Sequence, residues 1–271
     1  MKTIIAPTDF SENSINAVNY AADFATAVNA ELLLINVVGL PLSASEYAVT
    51  ETLLEELEEN TEKELSHLKE KLLERTGGKL AVDTFSEIGS IGYTLEEISK
   101  RKKPLAVVMS VKNSTALERF LVGSNTLAAV HHITQPVLIV PEKASYTKVK
   151  KVAVACDFDE DLSMDTIKTI KSWLSLLNAE PHIINVTKNP EISSHTMSEA
   201  IGLQNQLTDF TPRFHYLTGE KVEKGIASFV EKYDPDLLIV VPRDKGLFHK
   251  SHTKALILHS TIPVLSIGEH L

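Results

Sequence analysis

The chain carries a single cysteine, Cys156, in 271 residues. No disulfide can form within it, and a reducing compartment is the natural setting. Positive charge is also short: 27 Lys and Arg against 36 Asp and Glu leave a net charge of −9. That balance argues against a nucleic-acid protein, because there is no basic excess to neutralise a run of phosphates. No apolar run approaches the ~20 residues that cross a bilayer. No leader is visible either, since Met1-Lys2 runs straight into strand-like Thr3-Ile4-Ile5-Ala6. These absences together predict a cytoplasmic location and no membrane partner. Missing too are a Gly-x-Ser-x-Gly elbow, a Walker A loop, a dinucleotide fingerprint after the first strand and any arranged base–nucleophile pair. No catalytic residue is expected, and the chain is not read as an enzyme.

What is present is an ordinary globular composition, 43% hydrophobic and 23% charged, with length for one large or two modest domains. Thr3 to Pro7 reads as a short buried strand. Asp9 to Asn29 has helical periodicity through Ile15, Val18, Ala22 and Ala25, and Asp9 with Glu12 has capping-box spacing. Glu31 to Val38 is a second strand, apolar on both faces as a central parallel strand is. Glu46 to Arg75 reads as a long acidic helix with an inner stripe of Leu53, Leu57, Leu65, Leu68 and Leu72, stopped by Gly77-Gly78. Its length would let it cover a neighbouring cleft as a lid. Strands at Lys79 to Phe85, Leu105 to Met109 and Pro136 to Val140 alternate with helices at Ile91 to Lys102 and Ser124 to His132. Alternation of this kind predicts a parallel, doubly wound α/β sheet.

The pattern then repeats. Lys2-Thr-Ile-Ile-Ala-Pro-Thr-Asp9-Phe10 is echoed from Lys150 to Asp157-Phe158. Asn29-Ala30-Glu31 returns as Asn178-Ala179-Glu180, and Thr134-Gln-Pro136-Val-Leu138 as Thr261-Ile-Pro263-Val-Leu265. Three matches in the same order predict a tandem duplication. The expected domains are 1–143 and 147–271, joined by a short polar segment.

The stretch Leu105 to Thr126 is where such a fold would hold a phosphate: a strand, a polar loop, then Gly123-Ser124 at a helix start. Taken with Ile4-Ala-Pro-Thr-Asp9-Phe-Ser11, Leu34-Ile-Asn-Val37, Val108-Met109 and Pro136-Val-Leu-Ile-Val140, it resembles the universal stress protein family. The resemblance covers both halves. It implies two tandem five-stranded parallel sheets flanked by helices, like the adenine-nucleotide alpha-hydrolases. It also implies a stress-response regulator that binds ATP or a related adenine nucleotide in the first domain. No metal is expected beyond the magnesium that accompanies a nucleotide, and no turnover beyond slow hydrolysis. Pro7, Thr8, Asp9 and Val37 would line the nucleoside with Met109 beside it, and Ser110, Asn113, Gly123, Ser124 and Asn125 would meet the phosphates. The resemblance further implies that the fifth strands, Val137 to Val140 and Val264 to Ile267, pair as an internal pseudo-dimer, with a homodimer possible beyond it.

This sequence departs from the family signature Gly-x₂-Gly-x₉-Gly-Ser/Thr at its two leading glycines, which are Ser110 and Asn113; the nine-residue gap and Gly123-Ser124 are intact. Asparagine is the non-glycine residue that best tolerates the left-handed region. In the second half, fourteen residues from Ser110 to Gly123 are matched by only nine, Pro242 to Lys250, so no family-type site is expected there. The alternative function is a nucleotide-free tandem scaffold, or a binder of another small ligand, acting through protein partners. An ATP-dependent ligase or hydrolase of the wider superfamily is the enzyme alternative.

Plainer readings stand beside several residues. Asp9 also suits a helix cap, and Met109 the last core position of its strand. Gly89 and Gly92 suit a turn, and Cys156 a small buried filler. His249 with His252, and His131-His132 with His259, lack an acidic or cysteine partner at metal-ligand spacing.

Overall fold

The structure is a computed structural model, and it describes residues 2–39, 50–111, 133–156, 158, 162–187, 193–218, 221–242 and 250–268. The chain divides into two units, Met1–Tyr146 and Thr147–Leu271.

The first unit runs β1 (Lys2–Pro7), α1 (Glu12–Ala27), β2 (Ala30–Val38), α2 (Glu51–Arg75), β3 (Val82–Ile88), α3 (Ile91–Lys102), β4 (Ala106–Ser110) and β5 (Val137–Val140). Its strands are parallel in the order β3-β2-β1-β4-β5. The chain builds outward from β1 on one side, then crosses to β4 on the other. The switch between β1 and β4 opens a crevice at their carboxyl ends, where open α/β sheets bind ligands. Ile4, Ile5, Leu32, Leu34, Ile35 and Val107 are fully buried, which explains why these strands read as continuous apolar runs.

The second unit runs β6 (Lys151–Ala155), α4 (Met164–Leu177), β7 (Glu180–Thr187), α5 (Ser194–Gln206), β8 (Arg213–Thr218), α6 (Val222–Tyr233), β9 (Leu237–Val240), α7 (Lys250–His259) and β10 (Val264–Ser266). Its parallel order, β8-β7-β6-β9-β10, has the same topology. Left-handed residues recur at matched places in the two units: Phe10 and Phe158, Asn29 and Asn178, Lys103 and Asp234, with φ between 46° and 60°.

Several boundaries differ from the sequence reading. The first helix starts at Glu12, not Asp9. Phe10 at φ 60° cannot join a right-handed helix, and the N-cap is Ser11, whose side chain accepts from the Ser14 N–H. β3 begins three residues later than expected, because the chain first turns through Gly77 and Gly78, both left-handed. The long helix is described from Glu51, capped by Thr50; its expected first turn lies outside the described residues, as does the expected helix at 124–132. The leucine stripe is buried only in its second half. Thr61, Leu65, Leu68 and Leu72 are covered, while Leu53 is 43% exposed. The end of α2 is tied to α1 by Arg75, which donates from Nε and Nη2 to the two Asp23 carboxylate oxygens at 2.9 and 2.7 Å.

The polar segment after β5 does not stand free. Asn16 Nδ2 donates to the carbonyls of Pro141 and Ala144, Asn13 Nδ2 donates to Glu142, and the Tyr146 ring packs edge-on against Tyr20 and beside Phe24.

Candidate functional site

The residues expected around a nucleoside meet at the carboxyl edge of three adjacent strands. Pro7 ends β1 opposite Ile35 of β2, which places Val37 two residues beyond that level. Ile5 is opposite Val107, so Met109 lies level with Pro7 on the same register and Ser110 one step further. Pro7, Thr8 and Met109 are buried, Val37 and Ser110 half-buried, and Asp9 exposed. Asn113, Gly123, Ser124 and Asn125 lie outside the described residues, as do His131, His132 and His249.

The turn from β1 into α1 is held from several directions. Thr8 N–H extends the ladder one step by donating to the Ile35 carbonyl at 2.8 Å. Its side-chain oxygen accepts from Phe10 N–H and shares a hydrogen bond with Ser14, both at 3.0 Å. The Thr8 carbonyl accepts from Asn36 Nδ2 at 2.7 Å. Asn36 was not among the expected site residues, although its place in Leu34-Ile-Asn-Val37, a polar side chain inside an apolar strand, was a usable signal. Its other amide atom, Oδ1, is buried with no hydrogen-bond partner among the described residues.

Asp9 does not cap the helix. Its carboxylate accepts from Ser11 N–H and Ser11 Oγ, and so fixes the residue that does. Partial burial acts to raise its pKa, but the hydrogen bonds from Ser11, Ser14 and the backbone outweigh that and hold it below the usual carboxylate range. At neutral pH the lip of the crevice therefore carries a full anion, an acceptor suited to N–H and O–H groups and unsuited to direct contact with a phosphate.

The second unit repeats the clamp with one change. Cys156 N–H donates to the Ile184 carbonyl at 2.9 Å, and Asn185 Nδ2 donates to the Cys156 carbonyl at 3.1 Å. A buried thiol stands where Thr8 offers a hydroxyl.

A histidine pair, His182 buried and His215 half-buried, went unread in the sequence. His182 Nδ1 lies 3.1 Å from His215 Nε2, and Phe229 and Tyr233 enclose both rings. His182 Nε2 is 3.6 Å from Glu180, beyond hydrogen-bonding distance, and Glu180 itself pairs with Arg213. Burial lowers both pKa values; Arg213 and Lys151 lower His182 further against the opposing pull of Glu180, and His182, Arg213 and Lys232 lower His215. Because the folded values lie below the unfolded value near 6.5, the unfolded chain binds protons first as pH falls. Stability of the second unit is therefore expected to be full above about pH 6.5 and to decline as pH falls through that value, levelling off at the folded pKa values. Urea midpoints between pH 8 and pH 5 would show this slope, and a His215→Phe variant should flatten it. Among the described residues no group of three or more His, Cys, Asp and Glu is placed to hold a metal.

The family model of the universal stress proteins matches residues 1–141. A universal stress protein of Methanocaldococcus jannaschii is 32% identical over 145 residues, which are 51% of this chain and 81% of that protein. Among solved structures, a universal stress protein from Archaeoglobus fulgidus superposes with a TM-score of 0.74 at 21% identity, covering 98% of this chain and 96% of that one. A putative universal stress protein from Pseudomonas aeruginosa gives 0.61 at 11% identity, over 99% and 93%. At those identities the two structures speak for the fold alone.

Proposed function

The chain belongs to the universal stress protein family, and from that premise we propose that its first unit binds ATP or a related adenine nucleotide and reports its occupancy to a partner protein as a stress-response regulator. The observation that carries this reading is the clamped β1–α1 turn at the switch point. It presents an anionic acceptor, Asp9, on a turn held by the Asn36 amide through the Thr8 carbonyl. Acceptors of this kind suit the N–H and O–H groups of a nucleoside. Thr8 is committed to Ser14 and Phe10, so its role is to hold the turn. Phosphates, with any accompanying magnesium, belong to the segment from Ser110 to Asn125. Its intact nine-residue spacing and Gly123-Ser124 support this assignment. The second unit, with nine residues in place of fourteen, holds no nucleotide in this way. Turnover goes no further than slow hydrolysis, since no base–nucleophile pair is arranged in the sequence.

The replacement of both leading glycines by Ser110 and Asn113 favours a second reading, a scaffold or a binder of another small ligand. Titration calorimetry with ATP, AMP and cyclic AMP separates the two. The expected result is a saturable heat that Gly123→Val abolishes and Ser251→Ala leaves unchanged. At a ligand concentration 100-fold above its Kd, the first unit should gain about 2.7 kcal/mol. No heat with any of the three nucleotides would overturn the proposal.

A further inference from the structure

β8 is the outer strand of the second sheet. One edge pairs with β7, from His182–Arg213 to Thr187–Thr218, and the other has no strand beside it among the described residues. An open groove of about 560 Å³ lies between the last three residues of β8, Tyr216 to Thr218, and helix α6. The helix comes close to the sheet at Gly225, where an added Cβ would lie 3.1 Å from Val186 of β7. Phe229 and Tyr233 give the groove an apolar bed, and Lys221, Lys224 and Lys232 line it. The second and third lysines follow the first by three and eleven residues, which keeps all three on one side of the helix. Among the described residues none of the three is ion-paired, and no acidic residue lines the groove. In the first unit a groove of about 350 Å³ beside β3 and α3, lined also by Lys69 of α2, sets Asp83 among its cations.

The three exposed ammonium groups have no ion-pair partner among the described residues, and one of them, Lys232, lies over the Tyr233 ring at 5.0 Å. On a chain of net charge −9 they make a local positive patch that favours an anionic visitor. An open strand edge supplies the rest of a recognition surface, because its unpaired N–H and C=O groups accept another strand. We propose that the free edge of β8 and the lysine side of α6 form a docking groove for an extended acidic segment of a partner protein, which adds to the sheet as a further strand. Alternate side chains of the added strand face the helix, so acidic residues at every second position meet the lysines. The same lysines repel a β8 edge from a second copy, which brings its own. The competing explanation is that they only guard a sticky edge.

The test uses the full chain and three fluorescein-labelled hexapeptides, read by anisotropy at low salt: Glu-Val-Glu-Val-Glu-Val, Lys-Val-Lys-Val-Lys-Val and Glu-Pro-Glu-Pro-Glu-Pro. The first should bind saturably and weaken as salt is added, and the other two should not bind. Single Lys→Ala changes at 221, 224 or 232 should each weaken binding up to about fivefold. The double variant Lys224→Glu with Lys232→Glu should weaken it at least ~10-fold, with circular dichroism unchanged because both side chains are exposed. No binding of the acidic valine peptide, or no effect of the double variant, overturns the proposal in favour of edge guarding. Equal binding of the proline peptide, whose alternate residues lack an N–H and are held at a φ of about −65° that suits a polyproline helix rather than a paired strand, overturns it in favour of a site that reads charge alone.

Discussion

An Asn36→Asp variant is expected to lose about 3–5 kcal/mol of first-unit stability at pH 7 and to regain most of it as pH is lowered toward 4. The substitution preserves shape and changes only hydrogen-bonding and charge. Asn36 is 6% exposed, and its amide donates to the Thr8 carbonyl at 2.7 Å. An ionised carboxylate would set oxygen against oxygen there and bury a charge, so its folded pKa must rise. Between the unfolded value near 3.9 and that raised value, the folded state keeps a proton that the unfolded state has lost, and stability falls as pH rises. Below 3.9 both states are protonated, and the neutral acid can donate to Thr8 as the amide did. Urea titrations of variant and wild type at pH 7, 5.5 and 4 give the difference directly; a loss independent of pH would show that charge is not its cause. Asn185→Asp should behave alike in the second unit, through Cys156. Nucleotide affinity should fall with Asn36→Asp and stay unchanged with Asn185→Asp, since only the first turn serves the proposed site.

Trp173→Ala should cost the second unit about 3–5 kcal/mol. Trp173 is the chain's one tryptophan, 1% exposed, on the inner side of α4 with Ile170, Leu174 and Leu177. Set against the roughly 5–15 kcal/mol that holds a domain folded, that is about a fifth of the total or more. For a unit of this size the corresponding fall in Tm is about 10–20 °C. Scanning calorimetry should show the second-unit transition displaced while the first-unit transition stays in place. A shift of less than a few degrees would mean that the site collapses around the missing ring.

Much of this was readable from the chain alone, and the reasons are local. Strands buried on both faces announce themselves as apolar runs, so β1, β2 and β4 were found nearly to the residue. α3 was found to the residue at both ends, 91 and 102. The start of α1 was missed because Asp9 and Ser11 are both good cap residues; the choice rests on the left-handed Phe10, which composition does not reveal. The leucine stripe of α2 has the right period throughout, but period cannot say where the surface it covers stops. Thr8, Asp9 and Met109 were expected from the family resemblance, and the register brings their positions to the ends of adjacent strands. Asn36 was overlooked because it acts on a backbone carbonyl rather than on a ligand. The histidine pair depends on a diagonal across β7 and β8, with His182 opposite Arg213 and His215 opposite Ile184. That register joins residues 33 positions apart and has no signature along the chain.

The fastening of residues 141–146 onto α1 bears on how the chain would be cut. A protease needs an extended, detached run of backbone, and a polar stretch between two folded halves is where one would normally be sought. Here the carbonyls of Pro141 and Ala144 are occupied by Asn16, and Tyr146 is anchored against Tyr20 and Phe24. Nicking within that stretch would wait for the aromatic anchor to release, so its rate would serve as a clock for local opening of the first unit.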